Sequence, residues 1–151
     1  MEVLRTTVPQ LDELTRGVSQ KRLRTVTDYG WSVNDQLAHL RACHDVLGGN
    51  MLRIVREDHP SWKGMAPAAW QNQTDYFESK FKPAFESFRA QRAELLDVLE
   101  TLPLSGWNRT ATVSAPPGKI YEYSTVYYGD WMARHERSHL KHIARILKDT
   151  A

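Results

Sequence analysis

Residues 124–149 read STVYYGDWMARHERSHLKHIARILKD, and their spacing is that of a long amphipathic helix. At about 100° of rotation per residue, one face of such a helix collects aromatic, histidine and aliphatic side chains. The members of this face are Tyr128, Trp131, His135, His139, His142 and Ile146. The pattern predicts a helix from near Ser124 to about Asp149, with three histidines on its inward side.

Three earlier segments have the same periodicity and are also predicted to be helices. Their approximate ranges are 9–27, 32–58 and 75–102. Pro9 suits the first turn of a helix, and Ser32 with Asp35 matches a capping box at the start of the second helix. Pro83 should kink the third helix or split off its first turns.

Segments 59–72 and 103–123, which connect the predicted helices, are predicted to be loops. Pro103 and Gly106 disfavour a helix in the second segment, and a short hairpin around 116–118 is compatible with its prolines and glycine. Four amphipathic helices without a convincing sheet predict an all-α four-helix bundle. Because no repeat or low-complexity tract interrupts the sequence, residues 1–151 are expected to form one domain.

The composition of this 151-residue chain narrows its partners and its compartment. A formal net charge of +2 gives no basis for nucleic-acid binding, and no apolar run is long enough to span a membrane. The single cysteine cannot form an internal disulfide, and no signal-peptide pattern is found at the first residues. We therefore expect a cytoplasmic protein whose partner is a small molecule.

His135 and His139 lie one helical turn apart, so both rings can bind one metal ion. Neutral imidazole is a favoured ligand of zinc and of its transition-metal neighbours. A third ligand must come from another helix, where we rank His39 first, Cys43 second and Asp35 third. The alternative roles are a small buried side chain for Cys43 and a helix cap for Asp35.

Segment 135–139, HERSH, also matches the H-E-x-x-H pattern of zinc proteases. The extended protease pattern requires glycine at position 142 and histidine at position 145, where this chain has His142 and Arg145. A protease is therefore disfavoured. His44 and His59 are expected to be exposed to solvent and to lie outside any site.

Several of these motifs together resemble the DinB/YfiT-like metalloenzyme family. The motifs are Trp31-Ser32, His39-Leu40, Arg92, the region 107–109, His135-Glu136, His139-Leu140 and Ile143. Each motif is short, but their order and spacing are specific and extend over nearly the whole chain. The resemblance implies a four-helix bundle of up-down-down-up topology with three histidines that hold zinc or nickel. Matched residue by residue, these ligands are His39, His135 and His139.

The resemblance also implies a class of reaction. Characterised relatives include transferases and isomerases that use low-molecular-weight thiols such as bacillithiol, mycothiol or glutathione. The leading hypothesis is therefore a metal-dependent thiol S-transferase that acts on small electrophiles. The alternatives are a metal-dependent hydrolase that uses activated water and a non-catalytic metal- or ligand-binding module.

Three further residues have competing interpretations. Arg92 could bind an anionic group of the thiol or substrate, or form a buried ion pair with a helix carboxylate. Glu136 could be a general base, but it lies about 100° from His135 around the helix and is expected to face solvent. His142 replaces the glutamine that is usual in similar sequences. It could be a fourth ligand, a packing residue or, as we favour, a hydrogen-bonding group behind the ligands.

Four aromatic residues are assigned by position alone. Tyr128 and Trp131 are expected to pack in the core, or alternatively to line a substrate pocket. Trp62 and Trp70 are expected to be exposed in the first loop, where they would allow a homodimer to form.

Overall fold

The computed structural model describes residues 1–151 and contains four long helical segments joined by short helices and strands. The helices are α1 (Glu2–Thr15), α2 (Gln20–Leu23), α3 (Val33–Cys43), α4 (Gly49–Arg56), α5 (Pro67–Gln71), α6 (Phe81–Glu100), α7 (Leu104–Trp107) and α8 (Thr125–Asp149), with a π-helical turn at His44–Gly48 between α3 and α4. The strands are β1 (Ser61–Lys63), β2 (Thr110–Ala115) and β3 (Lys119–Ser124). No helix is long and apolar enough to cross a lipid bilayer.

Contacts at separate points along each helix pair give the directions of the four long segments. α1 runs opposite to α6, the α3–α4 segment runs with α6, and α8 runs opposite to α3–α4. The contacts that establish this are Arg5–Glu100 and Asp12–Arg89 for α1 and α6, His44–Phe88 and Arg56–Glu94 for α3–α4 and α6, and Gln36–His139 and His39–His135 for α3 and α8. The topology is therefore up-down-down-up, as the family resemblance implied.

Apolar side chains fill the bundle in two clusters, one around each half of α8. Fully buried side chains such as Leu37, Phe88 and Ile143 belong to the first cluster. Each buried side chain of this kind contributes about 1.5–3 kcal/mol through the area that it removes from water. Tyr128 belongs to the second cluster, which confirms its expected position in the core.

A three-stranded sheet covers one end of the bundle, so the all-α prediction is wrong in the strict sense. β1 pairs parallel to β2, and β2 pairs antiparallel to β3. The hairpin that joins β2 to β3 turns at Pro116-Pro117-Gly118, as the sequence suggested. On β2 the buried side chains Ala111 and Val113 alternate with more exposed residues, which is the two-residue period of a half-buried strand. The strands are too short for this period to stand out in the sequence. The segment predicted to be a loop also contains the four-residue helix α7.

The first helix begins earlier in the chain than the sequence predicts. α1 begins at Glu2 and contains Pro9 in its interior, and it ends at Thr15 rather than at Thr27. Gly17 follows with a φ angle of 73°, in the left-handed region that other residues avoid, and it separates α1 from the short helix α2. The predicted helix 9–27 is thus divided by a glycine.

The second predicted helix starts as expected, whereas the third starts later than predicted. Ser32 and Asp35 form the predicted capping box at the start of α3. The helix predicted from Asp75 begins only at Phe81, which places Pro83 in the first turn, where its missing N–H removes no helical hydrogen bond.

Segment 59–72, predicted to be a loop, contains β1 and α5. Trp62 packs under the guanidinium of Arg53, 4.7 Å from the ring centre. The indole N–H of Trp70 donates to Asp45 at 2.9 Å. Both tryptophans are partly buried, so the expectation that they are exposed is wrong and they no longer argue for a homodimer.

His44 was expected to face solvent but is buried, with 5% of its surface exposed. It begins the π-helical turn, and π-turns shift the faces of the helix that follows them. The ring packs edge-on against Phe88. A side chain at Gly48 would approach the His44 ring to 3.2 Å, so the glycine gives the ring its space. Burial lowers the pKa of His44 to about 3, which keeps the ring neutral.

A buried ion pair joins α1, α6 and α8. The side chains of Arg92 and Glu136 are 2% and 3% exposed, and the guanidinium bonds to both carboxylate oxygens. Thr7 of α1 donates to the same carboxylate at 2.7 Å, and Arg92 also donates to the carbonyl of Leu4 at 2.9 Å. The ion-pair interpretation of Arg92 is thereby confirmed. The expectation that Glu136 faces solvent is wrong, because α8 is covered on this side by α1 and α6.

Replacing Arg92 with Met is expected to lower the free energy of unfolding by about 3–5 kcal/mol, because Glu136 would stay buried without its partner. The double variant Arg92→Met/Glu136→Leu should recover most of this loss. Urea unfolding measures both values. The exposed pair Arg134–Asp130 is the control, and Arg134→Met should cost no more than about 1 kcal/mol. A double variant no more stable than Arg92→Met would contradict this account of the pair.

Candidate metal centre

The candidate centre lies between two antiparallel helices, α3 and α8. His39 projects from the middle of α3, whose start is fixed by the Ser32 capping box. His135 and His139 project one turn apart from the middle of α8. The structure therefore brings together the three residues that the sequence selected.

His135 faces both His39 and His139 through the same ring nitrogen, Nε2. Nε2 of His135 lies 3.4 Å from Nε2 of His39 and 3.1 Å from Nε2 of His139. Nitrogen ligands held about 2.0–2.1 Å from a zinc ion in a tetrahedron are roughly 3.3 Å apart. These separations fit a shared divalent ion, and they would set lone pairs against one another without a cation or a proton between them.

Two glutamines set the tautomers of two of these rings. Nδ1 of His39 lies 2.9 Å from Oε1 of Gln71, and Nδ1 of His139 is hydrogen-bonded to Oε1 of Gln36. An amide oxygen only accepts hydrogen bonds, so each Nδ1 carries the proton and each Nε2 keeps its lone pair. Ligand histidines in metal proteins are oriented in this way.

Neither glutamine is predicted from the sequence to lie at the site. Gln36 lies one turn before His39 on α3 and could have been noticed from that spacing. Gln71 ends α5, in a segment predicted to be a loop, and no local pattern points to it. Its position depends on Asp45, which accepts hydrogen bonds from Trp70 at 2.9 Å and from Tyr76 at 2.6 Å. These contacts hold the α5 region against the π-helical turn.

Burial favours the neutral form of His135 and His139. Burial, and to a smaller extent the nearby His39, lowers the pKa of His135 to about 4. Burial also lowers the pKa of His139 to about 3, with His135 as the next cause. Neutral rings are the form that binds metal. All three rings remain partly exposed, so a ligand can approach them from solvent.

Two tryptophans flank the histidine cluster. The indole of Trp131 is stacked on the ring of His135, with ring centres 4.7 Å apart. Trp31 meets His39 edge-on at 5.2 Å and is stacked over His139 at 6.4 Å. Trp131 thus lines the site instead of simply packing in the core. The approach to the cluster is aromatic and apolar.

Cys43 also belongs to this region. Its sulfur lies 3.4 Å from Nε2 of His39, and the ligand atoms of His39, Cys43 and His135 all lie within 4.8 Å of one another. Burial raises the pKa of the Cys43 thiol to about 12. The third-ranked candidate, Asp35, is outside the cluster, because its carboxylate accepts hydrogen bonds from the backbone and hydroxyl groups of Ser32.

The other candidate residues lie outside the cluster. Glu136 is engaged by Arg92 and cannot serve as a free base, so the H-E-x-x-H match does not reproduce the protease arrangement. His142 is exposed, with its ring centre 6.1 Å from that of His139, and it forms no hydrogen bond to the three histidines. His59 is exposed, as expected.

Comparison with known proteins supports the family resemblance. The family model of the DinB superfamily matches residues 4–143, nearly the whole sequence. The chain belongs to the DinB superfamily. No curated protein sequence matches it. Its fold is similar to that of YfiT from Bacillus subtilis, with a TM-score of 0.75. The two sequences are 18% identical, and the match covers 98% of this chain and 83% of YfiT. YfiT is described as a probable metal-dependent hydrolase with an unusual four-helix bundle topology.

Replacing Gln71 or Gln36 with Leu is expected to weaken zinc binding by about 10- to 100-fold, because the ring of His39 or His139 loses its acceptor. Titration calorimetry of the metal-free protein measures the affinity. His142→Ala is the control and should bind zinc as the unmodified chain does. Native affinity in both glutamine variants would show that the amides do not orient the ligands.

Proposed function

We propose that this protein is a metal-dependent enzyme in which His39, His135 and His139 hold a divalent ion, zinc or nickel, and which transfers a low-molecular-weight thiol to small electrophiles. The observation that carries the proposal is the convergence of three Nε2 atoms, two of them kept free of protons by glutamine amides. When bound, such an ion can stabilise the thiolate of a small thiol or lower the pKa of water toward 7.

The protein groups around the cluster favour a thiol over water. Hydrolysis of the protease type needs a carboxylate base beside the metal ligands. In the H-E-x-x-H pattern this base would be Glu136, which directly follows His135, but its carboxylate is buried in the ion pair with Arg92. A thiol needs no such base, since its ordinary pKa of about 8.5 is close to neutral pH. The family resemblance to thiol-dependent transferases supports the same choice. Bacillithiol, mycothiol and glutathione are the candidate thiols.

The proposed place for the electrophile is a cavity that shares Trp131 with the cluster, although none of the three histidines lines it. Its volume is about 160 Å³, and Trp131 lines it while also stacking on His135. Leu47, Trp62 and Tyr128 contribute further apolar surface. A small aromatic or aliphatic electrophile matches this lining, because such pockets bind chiefly by removing apolar surface from water. Trp31 and Trp131 would screen the reacting groups from solvent.

A metal-dependent hydrolase is the second candidate, and the description of the structural neighbour YfiT favours it. The same three histidines would hold the ion. In that case water would occupy the position that the thiol takes in the first proposal.

The test uses cobalt-substituted protein, a panel of the three thiols and a chloronitrobenzene as electrophile. We expect the spectrum to change when the physiological thiol is added and a thioether to form. The new sulfur–carbon bond replaces the carbon–chlorine bond, chloride leaves, and the thiol proton passes to solvent. Chelated protein and the variant His135→Ala are the controls and should form no product above background.

Two different outcomes would contradict the proposed transferase. Cleavage of a nitrophenyl ester that chelation abolishes, with no response to any thiol, would support the hydrolase and reject the transferase. Bound metal without either reaction would leave a metal-binding module and reject both enzymes.

A further inference from the structure

The cavity that shares Trp131 with the metal centre has an apolar wall with a small polar patch. Eight of the ten residues that line the cavity are hydrophobic, and none is charged. The polar patch consists of the amide of Asn50, the indole N–H of Trp62 and the hydroxyl of Tyr128. Pockets of this composition bind ligands through apolar surface and use a few polar groups to select and orient them. The lack of charged side chains favours a neutral ligand.

The size of the cavity corresponds to one aromatic ring. Its volume is about 160 Å³, and an apolar cavity of roughly 150 Å³ in another protein binds benzene. Trp62, Tyr123 and Trp131 line the cavity and offer ring faces and edges to such a ligand. A ligand with a single ring therefore fills it.

The hydroxyl of Tyr128 is a buried donor that lacks an acceptor. The residue is 5% exposed, and burial raises the pKa of Tyr128 to about 12, so the hydroxyl keeps its proton at neutral pH. Asn50 and Trp62 have a smaller, opposite effect on this pKa, because they present N–H groups to the phenol oxygen. No side-chain acceptor receives the O–H of Tyr128, whereas the O–H of Tyr76 donates to Asp45 at 2.6 Å. Because buried donors are nearly always paired, we expect a ligand to supply the acceptor.

The indole N–H of Trp62 adds a second unpaired donor to the polar patch. Its nitrogen is buried and has no hydrogen-bond partner, and an indole N–H can only donate. The polar patch thus has an excess of donors. A ligand oxygen that only accepts, such as that of a ketone or a nitro group, would pair with them, whereas a hydroxyl or an amine would add one more donor.

The polar patch and two of the metal-binding histidines lie along one face of α8. Tyr128 precedes His135 by two helical turns, which is roughly 10 Å along the helix axis. Trp131 lies between them, lines the cavity and is stacked on His135. A ring that fills the cavity with its oxygen at Tyr128 therefore has its opposite end on the side of Trp131 and the histidines.

We propose that the cavity binds an uncharged, single-ring aromatic compound that carries a ketone or nitro oxygen, and that Tyr128 and Asn50 bind this oxygen. The inference deepens the proposed function and rests on it for the reaction, since the bound compound would be the electrophile. The reactive carbon would then lie at the end of the ring opposite to the oxygen. Binding itself requires neither a thiol nor turnover.

The test compares two ligands of the same shape, acetophenone and α-methylstyrene, in which a CH₂ group replaces the ketone oxygen. Both are titrated into zinc-loaded protein without thiol, and heteronuclear NMR follows the indole signals of Trp62 and Trp131. We expect the native chain to bind the ketone about 3- to 10-fold more tightly than the hydrocarbon, which is the effect of one hydrogen bond. Tyr128→Phe should lose this preference and still bind the hydrocarbon as the native chain does, which would show that the cavity is intact.

The control variant is Tyr121→Phe, which removes a tyrosine hydroxyl outside the cavity. Tyr121 lies on β3, is 38% exposed and does not line the cavity. This variant should keep the native preference for the ketone.

The possible results separate the cavity from the reaction. Equal affinity of the native chain for the two ligands, or an unchanged ketone preference in Tyr128→Phe, would overturn the inference. Indole signals that respond to neither ligand would also overturn it and leave the metal site untouched. Ketone binding that depends on Tyr128, in a protein that forms no thioether with any thiol, would uphold this binding site and reject the transferase.

Discussion

Three imidazoles from two antiparallel helices present Nε2 atoms to one small volume, with His135 3.4 Å from His39 and 3.1 Å from His139. Lone pairs at these distances repel one another unless a cation or a proton lies between them. The simplest way to relieve this repulsion would be for His39 and His139 to direct an N–H toward His135. Gln36 and Gln71 oppose this change, because each accepts a hydrogen bond from the other ring nitrogen, Nδ1. The arrangement is thus held by contacts behind the rings, and a cation between the Nε2 atoms would make it favourable.

The remaining architecture keeps the two helices in the required rotation. Glu136 follows His135 directly, about 100° further around α8, and is anchored there to Arg92 of α6 and Thr7 of α1. Because a helix turns as a rigid body, this anchor fixes the direction in which His135 points. On the other helix, Asp45 secures the region that carries Gln71. Polar contacts behind the three histidines therefore determine the geometry of the site.

Much of this could be predicted from sequence where the determinants are local. The bounds of α8, the capping box at Ser32 and the hairpin turn at 116–118 follow from short-range patterns, and the structure confirms them. The meeting of His39 with His135 and His139 required the family resemblance in addition, since no periodicity gives the distance between two helices.

The predictions that are wrong concern residues whose position depends on tertiary contacts and not on the local pattern of polar and apolar residues. Glu136 has the spacing of a solvent-facing residue and is buried only because α1 and α6 cover that side of α8. His44 is buried because of a π-helical turn, which cannot be predicted from the residue types in this segment. Gln71 belongs to the site because a distant aspartate holds its segment in place. Each depends on contacts between residues far apart in sequence.

The most direct test of the central claim is the metal content of His39→Ala beside that of the native chain, after both have been loaded with zinc and freed of excess ion. The account predicts about one ion per native chain and a large loss in His39→Ala, with circular dichroism showing that the variant is still folded. Native metal content in His39→Ala would contradict it, because the ring from α3 would then have no part in holding the ion.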